Sequence, residues 1–386
     1  MSRENVRRNA FAGVMLSAAA VAAVQGAITP AAHAAPAPAP SPHHATHPRT
    51  SAVTRIEDRT ARAVAASLAD PAWRSEVRTA ALASRQVDLR ALAAHAPAGA
   101  GAHLKSAVTK ADRAVTAAKG LGRNTGSLLR VRLGADSMRK DLTAGAVPLV
   151  AVAPADDHAR TATAYDSRGR AHLLDLTRVP ESPVYLVDID VDKALTAGLD
   201  VLRQEFAERG LSAPRPAPAR TAAAGMWTTR INAVELSDDE EPWFKGDAEI
   251  YSLVSGFGWD GKVRVDPVDM PYLDNDGHVY YPNQILVNWS NYKYNLADAV
   301  MMEEDGSTNY RDLAKAIATA LLTIADQGAY IPLVNAVLDA IPNDWWTDDP
   351  DYVDSWYTLA RNDSGRRNGA RGNGWMTVEP YYVQGF

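Results

Sequence analysis

The sequence predicts an N-terminal α+β domain, with Ala-rich helices followed by a small sheet, and a C-terminal, mostly-β sandwich with a helical-hairpin insertion. Three observations lead there. Residues 35–220 hold 26 Lys+Arg against 19 Asp+Glu, a net +7, whereas residues 221–386 hold 11 against 26, a net −15. Between these halves lies the Pro/Ala run SAPRPAPARTAAA (212–224), which has the composition of a linker. Beyond it the apolar spacing falls mostly to a period of two, and eight of the nine Trp residues occur there. At 386 residues the chain is long enough for two cores. The expected division is 52–211 for the first domain, 212–225 for the linker and 226–386 for the second.

The chain opens with basic MSRENVRRN, an apolar run over 11–28 and Ala32-His33-Ala34, small residues flanking a cleavage site. This predicts a signal peptide over 1–34 and a secreted, extracellular protein. The alternative, an N-terminal anchor, is disfavoured because the run is Ala-rich and ends at Pro30. Arg7-Arg8 hints at twin-arginine export, but Phe11 falls one place beyond the usual pattern. No later stretch is apolar enough to span a bilayer. Residues 35–51 are a Pro/Ala-rich leader, in which His43, His44 and His47 read as solvated rather than as metal ligands.

Helices follow over 52–69, from Asp70-Pro71 (an N-cap and a first-turn proline), and through Leu104, Val108, Ala111, Val115 and Ala118. Strands are expected over 147–153, 161–165, 171–176 and 183–189, with a hairpin turn at 166–169. A helix over 193–209 carries Leu195, Leu199, Leu202 and Phe206 on one face. The second domain should hold strands over 228–236, 248–254, 262–265, 278–281, 285–289, 297–302, 356–359 and 375–383. A helical hairpin over 311–341 interrupts them.

EPWFKGDAEIYSLVSG, PYLDNDGHVYYPNQILVNW, EEDGSTNYRDL, VPLVAVAP and AYDSRGRAHLLDL together resemble a secreted bacterial family known only as a domain of unknown function. The resemblance covers most of the mature chain and implies two parts in one architecture, with no activity attached. GDAEIY and the later Glu303-Glu304-Asp305-Gly306 are similar to C2-like calcium-binding sandwiches, without a complete copy of their ligand set.

The absence of cysteine excludes disulfides, thiol catalysis, thiolate zinc sites and iron–sulfur clusters. The acidic second half is a poor nucleic-acid binder. Three acidic segments are candidate calcium loops: Asp238, Asp239, Glu240 and Glu241 with Asp247; Glu303, Glu304 and Asp305; and Asp348, Asp349, Asp351 and Asp354. Ca²⁺ takes about six to eight oxygens, and loops at one end of a sandwich can supply them together. Solvated turns explain the same runs, and Lys245 could partly neutralise the first. Asp274-Asn275-Asp276-Gly277 fails as an EF-hand, since Tyr272 and Asn283 occupy ligand places, and reads as a hairpin turn.

One alternative is a phosphatase-like hydrolase: PVYLVDIDVDK resembles the first motif of haloacid-dehalogenase-type phosphatases, which implies Asp188 as nucleophile and Asp190 as general acid/base, although the doubly wound sheet that family has after the motif is missing. Another is a carbohydrate-binding module using Trp345, Trp346 and Trp356. No G-x-S-x-G or H-E-x-x-H occurs. The leading expectation is a non-catalytic binding or structural module for an extracellular ligand, carbohydrate or surface protein, with calcium as the cofactor if one binds.

Overall fold

A computed structural model describes residues 51–98, 100–154, 159–212, 225–238, 244–246, 248–304, 306–341 and 352–385. Its first helix, α1 (Ala52–Ser67), is capped by Ser51, whose hydroxyl accepts from Thr54 N. Asp70 caps α2 (Pro71–Ala83), with Pro71 in the first turn as the sequence predicts. Then come β1 (Gln86–Asp88), α3 (Leu89–Ala94), α4 (Ala100–Ala118), β2 (Leu129–Leu133), α5 (Arg139–Thr143) and β3 (Leu149–Ala151). They are followed by β4 (Thr161–Tyr165), β5 (Ala171–Asp175), β6 (Val184–Ile189) and α6 (Val191–Glu208). These strands form a six-stranded sheet in the order β1-β2-β6-β3-β4-β5, antiparallel except for β3 beside β6. The β4–β5 turn closes with Gly169 N donating to Asp166 O at 2.9 Å.

The rest of the chain contributes β7 (Met226–Leu236), β8 (Ile250–Phe257), β9 (Val263–Asp269), β10 (Gln284–Asn288) and β11 (Leu296–Glu303). After these come α7 (Tyr310–Leu321), α8 (Val334–Ala340), β12 (Tyr352–Ala360), β13 (Gly365–Asn368) and β14 (Gly374–Val383). Two antiparallel four-stranded sheets result, β10-β7-β14-β13 and β12-β11-β8-β9. The protein is therefore a mixed α+β molecule with several sheets. The strand expected over 278–281 is a correction: only an isolated Val234–Tyr280 bridge forms there.

Every residue of β8 is buried, because both faces of its sheet are covered. Tyr251, Leu253 and Phe257 join Val300 and Met302 in a core with α6, α7 and α8. The alternate residues Ile250 and Val254 join Ala299 and Met301 in a second core shared with β7, β10 and β14. A strand period of two thus divides one sheet between two apolar layers. The first core also contains residues of α1, α4, β2 and β6, so it draws on both sides of the Pro/Ala run. Backbone pairing crosses that run as well, with Val265 N donating to Leu211 O at 2.9 Å. The described residues belong to one compact unit. The helical insertion packs its Leu313, Ile317 and Leu321 stripe into the first core, as its periodicity requires.

Candidate functional site

Two central strands of the six-stranded sheet present opposite charges to each other. In β2, Arg130 and Arg132 alternate with apolar Leu129 and Val131; in β6, Asp188 alternates with Val187 and Ile189. Antiparallel register sets Arg130 across from Asp188, and each arginine reaches diagonally. Arg132 Nε donates to Asp188 Oδ2 at 2.5 Å, while Arg130 pairs with Asp190 and, at 3.2 Å, with Asp88. Asp190 also caps α6 by accepting from Lys193 N at 3.1 Å. The D-x-D pair is therefore divided between two arginines. Arg132 makes further bonds through Nη2, which donates to the carbonyls of Phe244 at 2.6 Å and Lys245 at 2.5 Å. That guanidinium fastens the segment after the first acidic run onto β2.

A further charged pair crosses the chain at longer range. Lys119, at the end of α4, and Glu304, just past β11, are both fully buried, and their Nζ and Oε1 lie 2.7 Å apart. Lys119 Nζ also donates to Gly306 O at 2.7 Å, and Gly306 N donates to Glu304 Oε1 at 3.1 Å. The backbone N–H of Glu304 donates to Glu249 O at 3.0 Å, which brings the ends of β8 and β11 together.

Of these groups Arg132, Asp188, Glu249, Glu304 and Gly306 border one cavity of about 70 Å³, which Glu57 and Lys245 also line. That is room for a few waters or one small organic group. Asp188 Oδ1 is buried without a hydrogen-bond partner among the described residues, whereas the Glu304 carboxylate has the buried Tyr310 hydroxyl beside it. Glu57 lies on the buried face of α1 with Val53, Thr60 and Val64. Burial, and then the charge of Asp188, raise its carboxyl to about 8, although Lys119 and Lys245 oppose the shift. Burial also raises Asp188 despite its bond to Arg132. Tyr310 is pushed well above the phenol range by burial and by the nearby Glu304.

Of the proposed calcium ligands, Asp238, Glu303, Glu304 and Asp354 are described; Asp239, Glu241, Asp247, Asp305, Asp348, Asp349 and Asp351 lie outside the described residues, as do Glu240, Trp345 and Trp346. Asp238 sits apart from the cavity, its N–H donating to Asn373 Oδ1 at 3.1 Å and its carbonyl accepting from Asn373 Nδ2 at 2.8 Å. Asp354 is fully buried and accepts from four backbone N–H groups, those of Ser355, Arg371, Asn373 and Gly374, at 2.8–2.9 Å. It holds the 369–374 turn and has no oxygen to spare. Among the described residues no group of three or more His, Asp or Glu side chains converges to hold a metal ion. Trp356 is buried in the second core, so it offers no exposed ring to a sugar. No described helix is long and apolar enough to cross a membrane.

Two residues that line the cavity, Glu57 and Arg132, escaped the sequence reading, as did Arg130 and Lys119, which pair with its neighbours. Glu57 is a carboxylate on an otherwise apolar and small helix face, which is a legible signal. The R-V-R of β2 is its counterpart in a strand. Lys119 carries no local signal, since its partner is 185 residues away.

Fold and site together define an α+β protein with a buried, mixed-charge cavity assembled from both halves of the chain. A profile of the family described as Protein of unknown function (DUF3103) matches residues 61–385, and the chain belongs to that family. No curated protein and no solved structure matches it.

Proposed function

We propose that the protein is an exported, non-catalytic binding module that receives a cationic group, an ammonium, in the cavity around Glu57, Asp188 and Glu304. One observation carries this reading. Carboxylates from α1, β6 and the β8 and β11 ends line one small space, and the buried Asp188 Oδ1 awaits a donor. Unpaired buried carboxylate oxygens are costly, and an N–H donor ligand removes that cost. With Glu57 ionised, the carboxylates of Glu57, Asp188, Glu249 and Glu304 stand against Arg132, Lys245 and Lys119, which leaves one net negative charge, so a monovalent guest suits the site better than a divalent one. The N-terminal signal pattern supports export, and the core shared by the two four-stranded sheets supports a β-sandwich scaffold.

Calcium is the second reading. It is favoured by the joining of Glu249 and Glu304 at the strand ends, beside two of the acidic segments. Both readings are separated by melting the full mature chain in chelator, then with ethylammonium, calcium or magnesium. A rise confined to calcium would replace the ammonium by the metal. The hydrolase alternative is tested on Asp188→Asn: a binding module loses affinity, whereas a phosphatase loses turnover of a phosphate ester.

A further inference from the structure

A second, larger cavity of about 750 Å³ adjoins the first and shares Thr54, Val152, Ala153 and Pro154 with it. One wall is α1, which places Arg55, Arg59 and Arg62 at i, i+4 and i+7 on a single face. The opposite wall carries Thr161 and Thr163 of β4, both exposed. Arg62 is engaged, pairing with Asp58 at 3.0 Å and lying 4.7 Å from the Tyr165 ring centroid. Arg55 and Arg59 use only Nε, on the carbonyls of Ser51 and Arg55. No carboxylate pairs with either among the described residues. The groove is thus a row of guanidinium and hydroxyl groups, its one carboxylate Asp58 taken up by Arg62 and the Tyr165 hydroxyl, leading to a carboxylate-lined end.

We propose that the ligand is the amino-terminal segment of a short acidic peptide, its ammonium in the small cavity and its carboxylates along Arg55 and Arg59. This rests on the ammonium reading above and extends it to the groove. The sign of charge changes along the site in the order that such a peptide requires: acceptors at the closed end, donors beyond. Length selects a peptide over a single amino acid or a lone phosphate. Residues 55 to 62 of a helix span about 10 Å at ~1.5 Å per residue, and an extended peptide covers that distance with about three residues at ~3.3 Å each. Arginine's planar fork also suits carboxylates, which it can hold through two parallel bonds.

The test is calorimetric titration of the full mature chain with four synthetic peptides: Ala-Asp-Asp-Asp, its N-acetylated form, Ala-Asn-Asn-Asn, and acetyl-Ala-Asn-Asn-Asn. Ala-Asp-Asp-Asp should bind at least tenfold more tightly than either singly altered peptide, and the doubly altered one should not bind. In the Arg55→Gln/Arg59→Gln variant the Asp and Asn peptides should become equal while the penalty for N-acetylation persists. If the Asp and Asn peptides bind the unaltered chain equally, the groove assignment fails and the ammonium site survives. If N-acetylation costs nothing, the ammonium site fails and this inference falls with it. Absence of binding by every peptide at millimolar concentration also overturns the inference; ethylammonium then decides the cavity alone.

Discussion

Glu57 is a carboxyl whose environment makes it neutral at physiological pH, and that has a consequence for stability. The folded chain holds its proton up to about 8, whereas the unfolded chain releases it near the ordinary 4.5. Between those values the folded state binds more protons, so stability falls as pH rises, by up to ~1.4 kcal/mol per pH unit. Asp298, raised to about 6 mainly by burial, acts with the same sign from 3.8 to 6. Denaturant titrations from pH 6 to 8 should therefore show a falling stability that Glu57→Gln visibly flattens; an unchanged slope would place the proton elsewhere. Lys119 and Glu304 lend themselves to a different kind of test. Lys119→Met leaves a buried carboxylate without its cation and should cost about 3–5 kcal/mol, much of it recovered in Lys119→Met/Glu304→Gln. A double variant no more stable than the single one would contradict the pairing.

At the level of elements, the α6–α7 contact depends on one missing side chain. A Cβ at Gly198 would collide with Cζ, Cε1 and Cδ1 of the Tyr310 ring, and Tyr310 is fully buried. Gly198→Ala should destabilise by about 3 kcal/mol, the upper end of overpacking, and truncating the ring in Gly198→Ala/Tyr310→Leu should recover part of that; thermal melts read both. Helices and strand ends here were largely legible because periodicity and caps are local signals. The strand over 161–165 falls where spacing puts it, and the helix expected over 52–69 runs from Ala52 to Ser67, with Asp70 capping the next one. β2 was not legible, since Arg130 and Arg132 make a central strand look polar when their charges are matched by aspartates 60 and 56 residues away. The segment over 278–281 failed for the opposite reason. It has strand composition, but it only bridges to Val234, because β7 already pairs with β10 and β14.

For the whole molecule, composition predicts a boundary, while packing carries one apolar core and two sets of polar contacts across it. The charge asymmetry of the sequence is met by contact: Arg132 of the basic half holds the segment after the first acidic run, and Lys119 holds Glu304 of the second. Asp188 and Glu304, which the sequence offers to two rival functions, line the same cavity. Long-range convergence of this sort leaves no trace in spacing, so the candidate site was legible only as separate pieces.

The most direct test of that shared cavity is the melting temperature of residues 35–386 against ethylammonium. At ten times the dissociation constant the gain is ~1.4 kcal/mol, or a rise of about 2 °C in a chain of this size. That rise should be absent in Asp188→Asn/Glu304→Gln, with ethylammonium binding strengthening from pH 6 to 8 as Glu57 yields its proton. An equal response in the unaltered and doubly substituted chains, or no response at any concentration, would contradict the cavity as the binding site.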